Sequence, residues 1–209
     1  MNSRCRAFTL VELMVVLALL VALAGGAGLA LKPGDDLLAL QGGQTLLIQS
    51  LALVRAQAAL SGRNASLAVS LDSARPDQSM RALAVAVRNP SGPAWQRVSA
   101  WMPLPVGIAL LPVSAPSGPW IEPGSDWSGL TSSALSAQPT LIGPESALLL
   151  EFTPRGTVVG GGGNLILATH RRVPPESATA FIYTAPDAVR GVSVSAYGVA
   201  EWIHERTGF

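Results

Sequence analysis

Read by its apolar and polar positions, the chain divides into three stretches. From Phe8 to Leu31 every residue except Thr9 and Glu12 is apolar or glycine. As a helix those 24 residues reach roughly 36 Å, against about 30 Å of bilayer hydrocarbon. Asp35 caps a short turn through Leu40, which Gly42-Gly43 interrupts. Gln44 to Leu60 then sets Leu47, Leu51, Val54 and Ala58 on one helical stripe, with Gln49, Arg55 and Gln57 off it. Ser61-Gly62 closes that helix. Short apolar or alternating runs follow as strands at Ala65–Leu71, Ala82–Arg88, Gln96–Trp101, Ile108–Leu111, Leu148–Phe152, Leu165–Thr169, Ala180–Tyr183 and Val192–Tyr197. No second long helical period appears, so parallel βαβ units would lack their helices. The pattern predicts an α+β fold: an apolar N-terminal helix continuing to an amphipathic helix packed on antiparallel β-sheet.

One stretch breaks the rhythm. Met102 to Pro144 holds eight of the 16 prolines and two of the five tryptophans, Trp120 and Trp127. It reads as a long loop between two groups of strands. Its tryptophans either pin the loop locally, the preferred reading, or form a contact surface for a partner. Gly25, Gly26, Gly28 and Pro33-Gly34 weaken the first helix near its end, since glycine costs about 1 kcal/mol against alanine in a helix.

Composition narrows the picture. Apolar residues make up 49% and charged residues 13%, about half the charge of an ordinary soluble domain, so most of the chain is buried or in a membrane. Net charge is +1 without any block of like charge, which argues against a basic nucleic-acid face. A single cysteine, Cys5, precludes an intrachain disulfide, and two histidines, His170 and His204, argue against a multi-histidine metal centre while leaving a carboxylate-rich site open.

Arg4 and Arg6 precede the apolar run and Lys32, Asp35 and Asp36 follow it, so the positive-inside bias leaves the short N-terminus cytoplasmic. A cleaved secretory signal fits less well than an anchor, because the run is long and carries Glu12. A carboxylate in hydrocarbon costs about 2.5–3.5 kcal/mol on insertion scales, so it calls for a partner. Ala18, Ala22, Gly26 and Ala30 form an i, i+4 series of small residues, a stripe along which helices pack closely in membranes.

Arg6-Ala7-Phe8-Thr9-Leu10-Val11-Glu12-Leu13-Met14-Val15-Val16 resembles the class III signal of type IV pilins and type II secretion pseudopilins. The family usually has glycine where Ala7 stands. The resemblance implies that a prepilin peptidase cuts between Ala7 and Phe8 and N-methylates the new Phe8 amine. It also implies a partner for Glu12: the Phe8 ammonium of a neighbouring subunit in a filament of staggered helices. Each charge is costly alone in an apolar core, so the pair acts as a registration device.

Farther along, Val54-Arg55-Ala56-Gln57-Ala58-Ala59 with Gly62-Arg63, Leu104-Pro105-Val106-Gly107-Ile108, Phe152-Thr153-Pro154-Arg155-Gly156 and Val192-Ser193-Val194-Ser195 before Gly198 are similar to the H-type minor pseudopilins and FimT-like minor pilins. The fold expected is therefore pilin-like, with residues 1–7 a leader, 8–31 the membrane and filament-core helix, and 32–209 a periplasmic domain. The function implied is that of a non-enzymatic minor pseudopilin of a type II secretion system, single-pass in the bacterial inner membrane. Its implied partners are other pseudopilins, the prepilin peptidase and the secretion machinery, without cofactor, metal or nucleic acid; Val199-Ala200-Glu201 stands after Gly198 where relatives often carry arginine. The alternatives are a minor pilin of a type IV pilus and a membrane-anchored periplasmic hydrolase.

For a hydrolase the residues offer little. Gly160-Gly161-Gly162-Gly163 lacks the Lys-Ser/Thr of a phosphate loop and reads as a hairpin turn. Gly124-Ser125-Asp126-Trp127-Ser128-Gly129 lacks nucleophile-elbow spacing. His170 and His204 read as exposed residues at a strand end and in the tail. Asp72 with Asp77, and Glu122 with Asp126, lack a calcium-loop series.

Overall fold

The computed structural model describes residues 11, 14–17, 19, 32–71, 78–90, 92–173 and 181–209. It divides into two units, Met1–Asp36 and Leu37–Phe209. In the first, Val11, Met14, Val15, Val16, Leu17 and Leu19 are helical.

Helix α1 is Lys32–Ser61. It runs straight through Gly42-Gly43, contrary to the interruption expected there, and packing explains why. A Cβ on Gly43 would stand 3.0 Å from Leu167 Cδ1 and 3.5 Å from Ile108 Cγ2. The glycine lets the helix lie close to the sheet, and the apolar burial this permits offsets its low helix propensity. Leu47, Leu51, Val54 and Ala58 are fully buried, as their spacing predicts, and Leu40 and Gln44 extend the same stripe. Each buried Leu or Val contributes roughly 1.5–3 kcal/mol relative to exposure.

The strands are β1 (Ala65–Ser70), β2 (Ala82–Arg88), β3 (Trp95–Arg97), β4 (Met102–Pro103), β5 (Ile108–Leu110), β6 (Thr140–Ile142), β7 (Glu145–Phe152), β8 (Gly163–Arg172), β9 (Phe181–Tyr183), β10 (Val189–Val194) and β11 (Ala200–Ile203). One sheet has the order β1-β7-β6-β3-β2-β4, and β1 also pairs with β2. Five of its strands thus close into a ring, which removes free edges. The other has the order β11-β10-β8-β5, with β9 added on β8. Pairing between the named strands is antiparallel except for the parallel step of β3 on β6 at Trp95↔Ile142, and Ile121 adds a parallel bridge to Tyr183 of β9.

In the ring, alternation is between large and small residues rather than apolar and polar. Leu67 and Val69 of β1, Leu83, Val85 and Val87 of β2, and Leu148, Leu150 and Phe152 of β7 join the helix stripe in the main core. The opposite positions, Ala68, Ala84, Ala86, Ala147 and Leu149, form a second cluster with Trp95 and Ile142. Both faces are therefore buried, and alanines leave the room that one indole fills. The main core also takes in Ile108 and Leu110 of β5, Leu165 to Ala168 of β8, and Val192 of β10.

Candidate functional site

Ala7, Phe8, Glu12, Ala18, Ala22, Gly26 and Ala30 lie outside the described residues. Their neighbours are informative. Val11, Met14, Val15, Val16, Leu17 and Leu19 are all about half exposed or more, Val11 at 69%. Large apolar side chains at successive helical positions with nothing covering them fit an apolar medium, lipid or other helices, and not water.

Asp36–Ser61 is also long and apolar enough to cross a membrane. Its stripe from Leu40 to Ala58 is packed in the domain core, so this segment is the core helix of the Leu37–Phe209 unit. Its outer face is nevertheless poor in charge, with Leu37, Leu38, Leu53 and Leu60 exposed.

The stretch from Met102 to Pro144 is not a free loop. It contributes β4, β5 and β6 to the sheets, and the part between them crosses from one sheet to the other. The Ile166 N–H donates to Ser132 Oγ at 3.1 Å and the Asn164 N–H to Ser133 Oγ at 3.0 Å, both on β8. A little farther on, the Leu149 N–H of β7 donates to Ser136 Oγ at 3.0 Å. Serine hydroxyls thereby satisfy strand donors that a neighbouring strand would otherwise take.

Its two tryptophans separate. Trp127 is 2% exposed, packs on Tyr183 with ring centroids 5.6 Å apart, and donates its indole N–H to Ser125 Oγ at 3.0 Å. Its reading as a partner contact is corrected to a core position. Trp120 is 40% exposed and meets Phe181 edge-on at 5.6 Å. It remains a candidate contact residue.

The histidines also separate. Contrary to the surface position expected for it, His170 is buried, its ring 4.7 Å from Phe181. Burial, reinforced by the positive charges of Arg81 and Arg172, lowers its pKa from 6.5 to about 4. It is thus neutral at physiological pH. His204 is exposed, stacked on Trp202 at 6.0 Å and 3.1 Å from Arg190 Nη1. Burial raises the Tyr183 pKa, and the phenol donates to the Leu110 carbonyl at 2.6 Å. Among the described residues no three His, Cys, Asp or Glu side chains gather in a way that could hold a metal ion.

Three of the short motifs noted in the sequence meet at one point. The Arg55 guanidinium lies against the Thr153–Thr157 turn and the Ser195–Gly198 turn. A Cβ on Gly156 would stand 3.4 Å from Arg55 Nε and Nη2, and one on Gly198 3.3 Å from Nε. Both glycines have positive φ, +80° and +72°, a conformation that favours residues without Cβ.

Residues 2–28 match the family model described as the prokaryotic N-terminal methylation motif. The chain carries that motif. It spans Arg4 and Arg6, the Ala7-Phe8 junction, Glu12 and most of the apolar run. Two solved structures of the minor pseudopilin EpsH from the type 2 secretion system of Vibrio cholerae match the chain at low similarity. One is 16% identical with a TM-score of 0.43, covering 80% of this chain and 96% of its own. The other is 17% identical with a TM-score of 0.41, covering 82% and 95%. No curated protein matches the chain.

Proposed function

We propose that the protein is a minor pseudopilin, a structural, non-enzymatic subunit of the periplasmic pseudopilus of a type II secretion system. The observation that carries this reading is the methylation motif over residues 2–28, within which the helical Val11, Met14, Val15, Val16, Leu17 and Leu19 are uncovered. A prepilin peptidase cuts between Ala7 and Phe8 and methylates the Phe8 amine. Residues 8–31 hold the chain in the inner membrane, and the Leu37–Phe209 unit stands in the periplasm. On assembly the helix leaves lipid for a bundle of like helices. Ala18, Ala22, Gly26 and Ala30 allow close approach there, and Glu12 pairs with the Phe8 ammonium of a neighbour.

The mechanism predicts opposite effects on two steps. Glu12→Leu removes an insertion cost of about 2.5–3.5 kcal/mol, so insertion stays intact or improves. The same change leaves a neighbour's ammonium unpaired in the filament core, where breaking a buried pair costs about 3–5 kcal/mol. Membrane fractionation together with co-purification of the other pseudopilins tests this. Full insertion with lost co-purification is expected. Wild-type co-purification and secretion with Glu12→Leu would contradict the pairing.

A further inference from the structure

An open groove of about 360 Å³ lies between α1 and the Thr153–Thr157 turn. Ala52, Ala56 and Ala59 give it a floor of methyl groups, Pro154 forms a wall beside Gly156, and Arg55 and Arg155 bring its charge. Among the described residues no carboxylate lines it. Several other arginines of the domain are paired: Arg88 with Glu151 at 3.1 Å, Arg171 with Glu122 at 3.1 Å, and Arg206 with Asp187 at 3.1 Å. Arg55 and Arg155 have no ion-pair or hydrogen-bond partner among the described residues.

Two guanidinium groups beside an uncharged floor favour one kind of occupant. Guanidinium forks match carboxylates in geometry and charge. Arg55 is already held in place against Gly156 and Gly198, so little side-chain entropy is lost when a carboxylate meets it. The alanine floor leaves room for a peptide backbone to lie against it. We propose that this groove docks an acidic peptide segment of a neighbouring subunit, its carboxylate received by Arg55 and Arg155. The identity of the partner rests on the pseudopilin reading; the recognition of a carboxylate does not.

The test uses the full-length protein in detergent micelles, with the arginine side-chain N–H signals followed by nuclear magnetic resonance. The probes are the capped pentapeptide acetyl-Ala-Glu-Ala-Glu-Ala-amide, its counterpart with Gln for both Glu, and inorganic phosphate. Arg155 is exposed, so Arg155→Ala leaves the fold intact, and an unchanged melting temperature verifies this. The Glu peptide is expected to shift the Arg55 and Arg155 signals and to bind at least about ten-fold more tightly than the Gln peptide. Arg155→Ala should weaken it by about ten-fold, Arg155→Lys by less, and added salt should weaken it further. Equal binding of the two peptides, no binding of the Glu peptide, or no effect of Arg155→Ala would overturn the proposal. So would phosphate displacing the peptide at equal concentration, which would mark a simple anion site. If Phe8 is unmethylated in the mature protein while the Glu peptide binds as stated, the pseudopilin reading fails and the carboxylate site stands.

Discussion

The Gln44 side-chain amide donates to the Gly191 carbonyl at 2.8 Å and, with its second hydrogen, to the Ile203 carbonyl at 2.8 Å. Gly191 and Ile203 face each other across β10 and β11, so one residue of α1 fastens both strands to the helix. Gln44→Leu keeps the volume but leaves two strand carbonyls without that donor, a loss of about 1–3 kcal/mol. Denaturant unfolding checks this through a lowered midpoint at unchanged slope.

Close packing at Gly43 makes a second expectation. With Leu167 Cδ1 already 3.0 Å from the position of an added Cβ, Gly43→Val has to push β5 and β8 away. Overpacking of this kind costs about 1–3 kcal/mol. A melting temperature at or above that of the parent chain would show that the helix and sheet have room to spare.

The tryptophans of the long crossing segment should behave differently. Trp127→Ala opens a cavity beside Tyr183 and costs about 3–5 kcal/mol. Trp120→Ala costs much less, because its ring is already 40% exposed, and any effect appears in partner binding at an unchanged melting temperature. Thermal unfolding of both variants, with co-purification of the other pseudopilins, separates the two roles.

His170 gives the domain a pH dependence with a definite sign. Its pKa is lowered to about 4 in the folded chain from 6.5. Between those values the unfolded chain binds a proton that the folded chain refuses, so stability falls as pH drops through that window and is unaffected by this group above it. Arg81, Arg172 and Phe181 lie beside it, and a hydrogen bond with the Arg171 backbone partly opposes the shift. Replacing it with leucine, His170→Leu, should shrink the fall in melting temperature between pH 7 and pH 4.5. An equal fall in both proteins would place the effect elsewhere.

Much of this architecture is legible where the periodicity is strong. The stripe at Leu47, Leu51, Val54 and Ala58 and the run Ala82–Arg88 read directly from the sequence. Gly42-Gly43 misleads, because glycine weakens an isolated helix and only tertiary contact reveals its use as clearance. The run Val192–Tyr197 reads as a strand along its whole alternation. The chain instead turns at Ser195, whose carbonyl accepts the Gly198 N–H at 2.8 Å, and the strand lies at Val189–Val194. Strand β6 escapes a sequence reading since three residues among prolines carry no period, and β11 does so because Ala200–Ile203 carries no apolar alternation. Gln44 looks like no more than the start of a helix although it falls on the buried stripe; polarity at an apolar register is the signal that marks such an anchor. His170 has no such signal, since its burial comes from β9 and Arg81, remote in sequence. The groove at Arg55 is present in the sequence only as separate short motifs, and folding brings them together.

Membership of a pseudopilus stands or falls with the mass of the mature N-terminus, taken from membranes of cells that contain the prepilin peptidase. The expected chain has lost Met1 to Ala7 and begins with N-methylated Phe8. An intact Met1 terminus, or a cut near Ala30 that releases the domain from its helix, would contradict it.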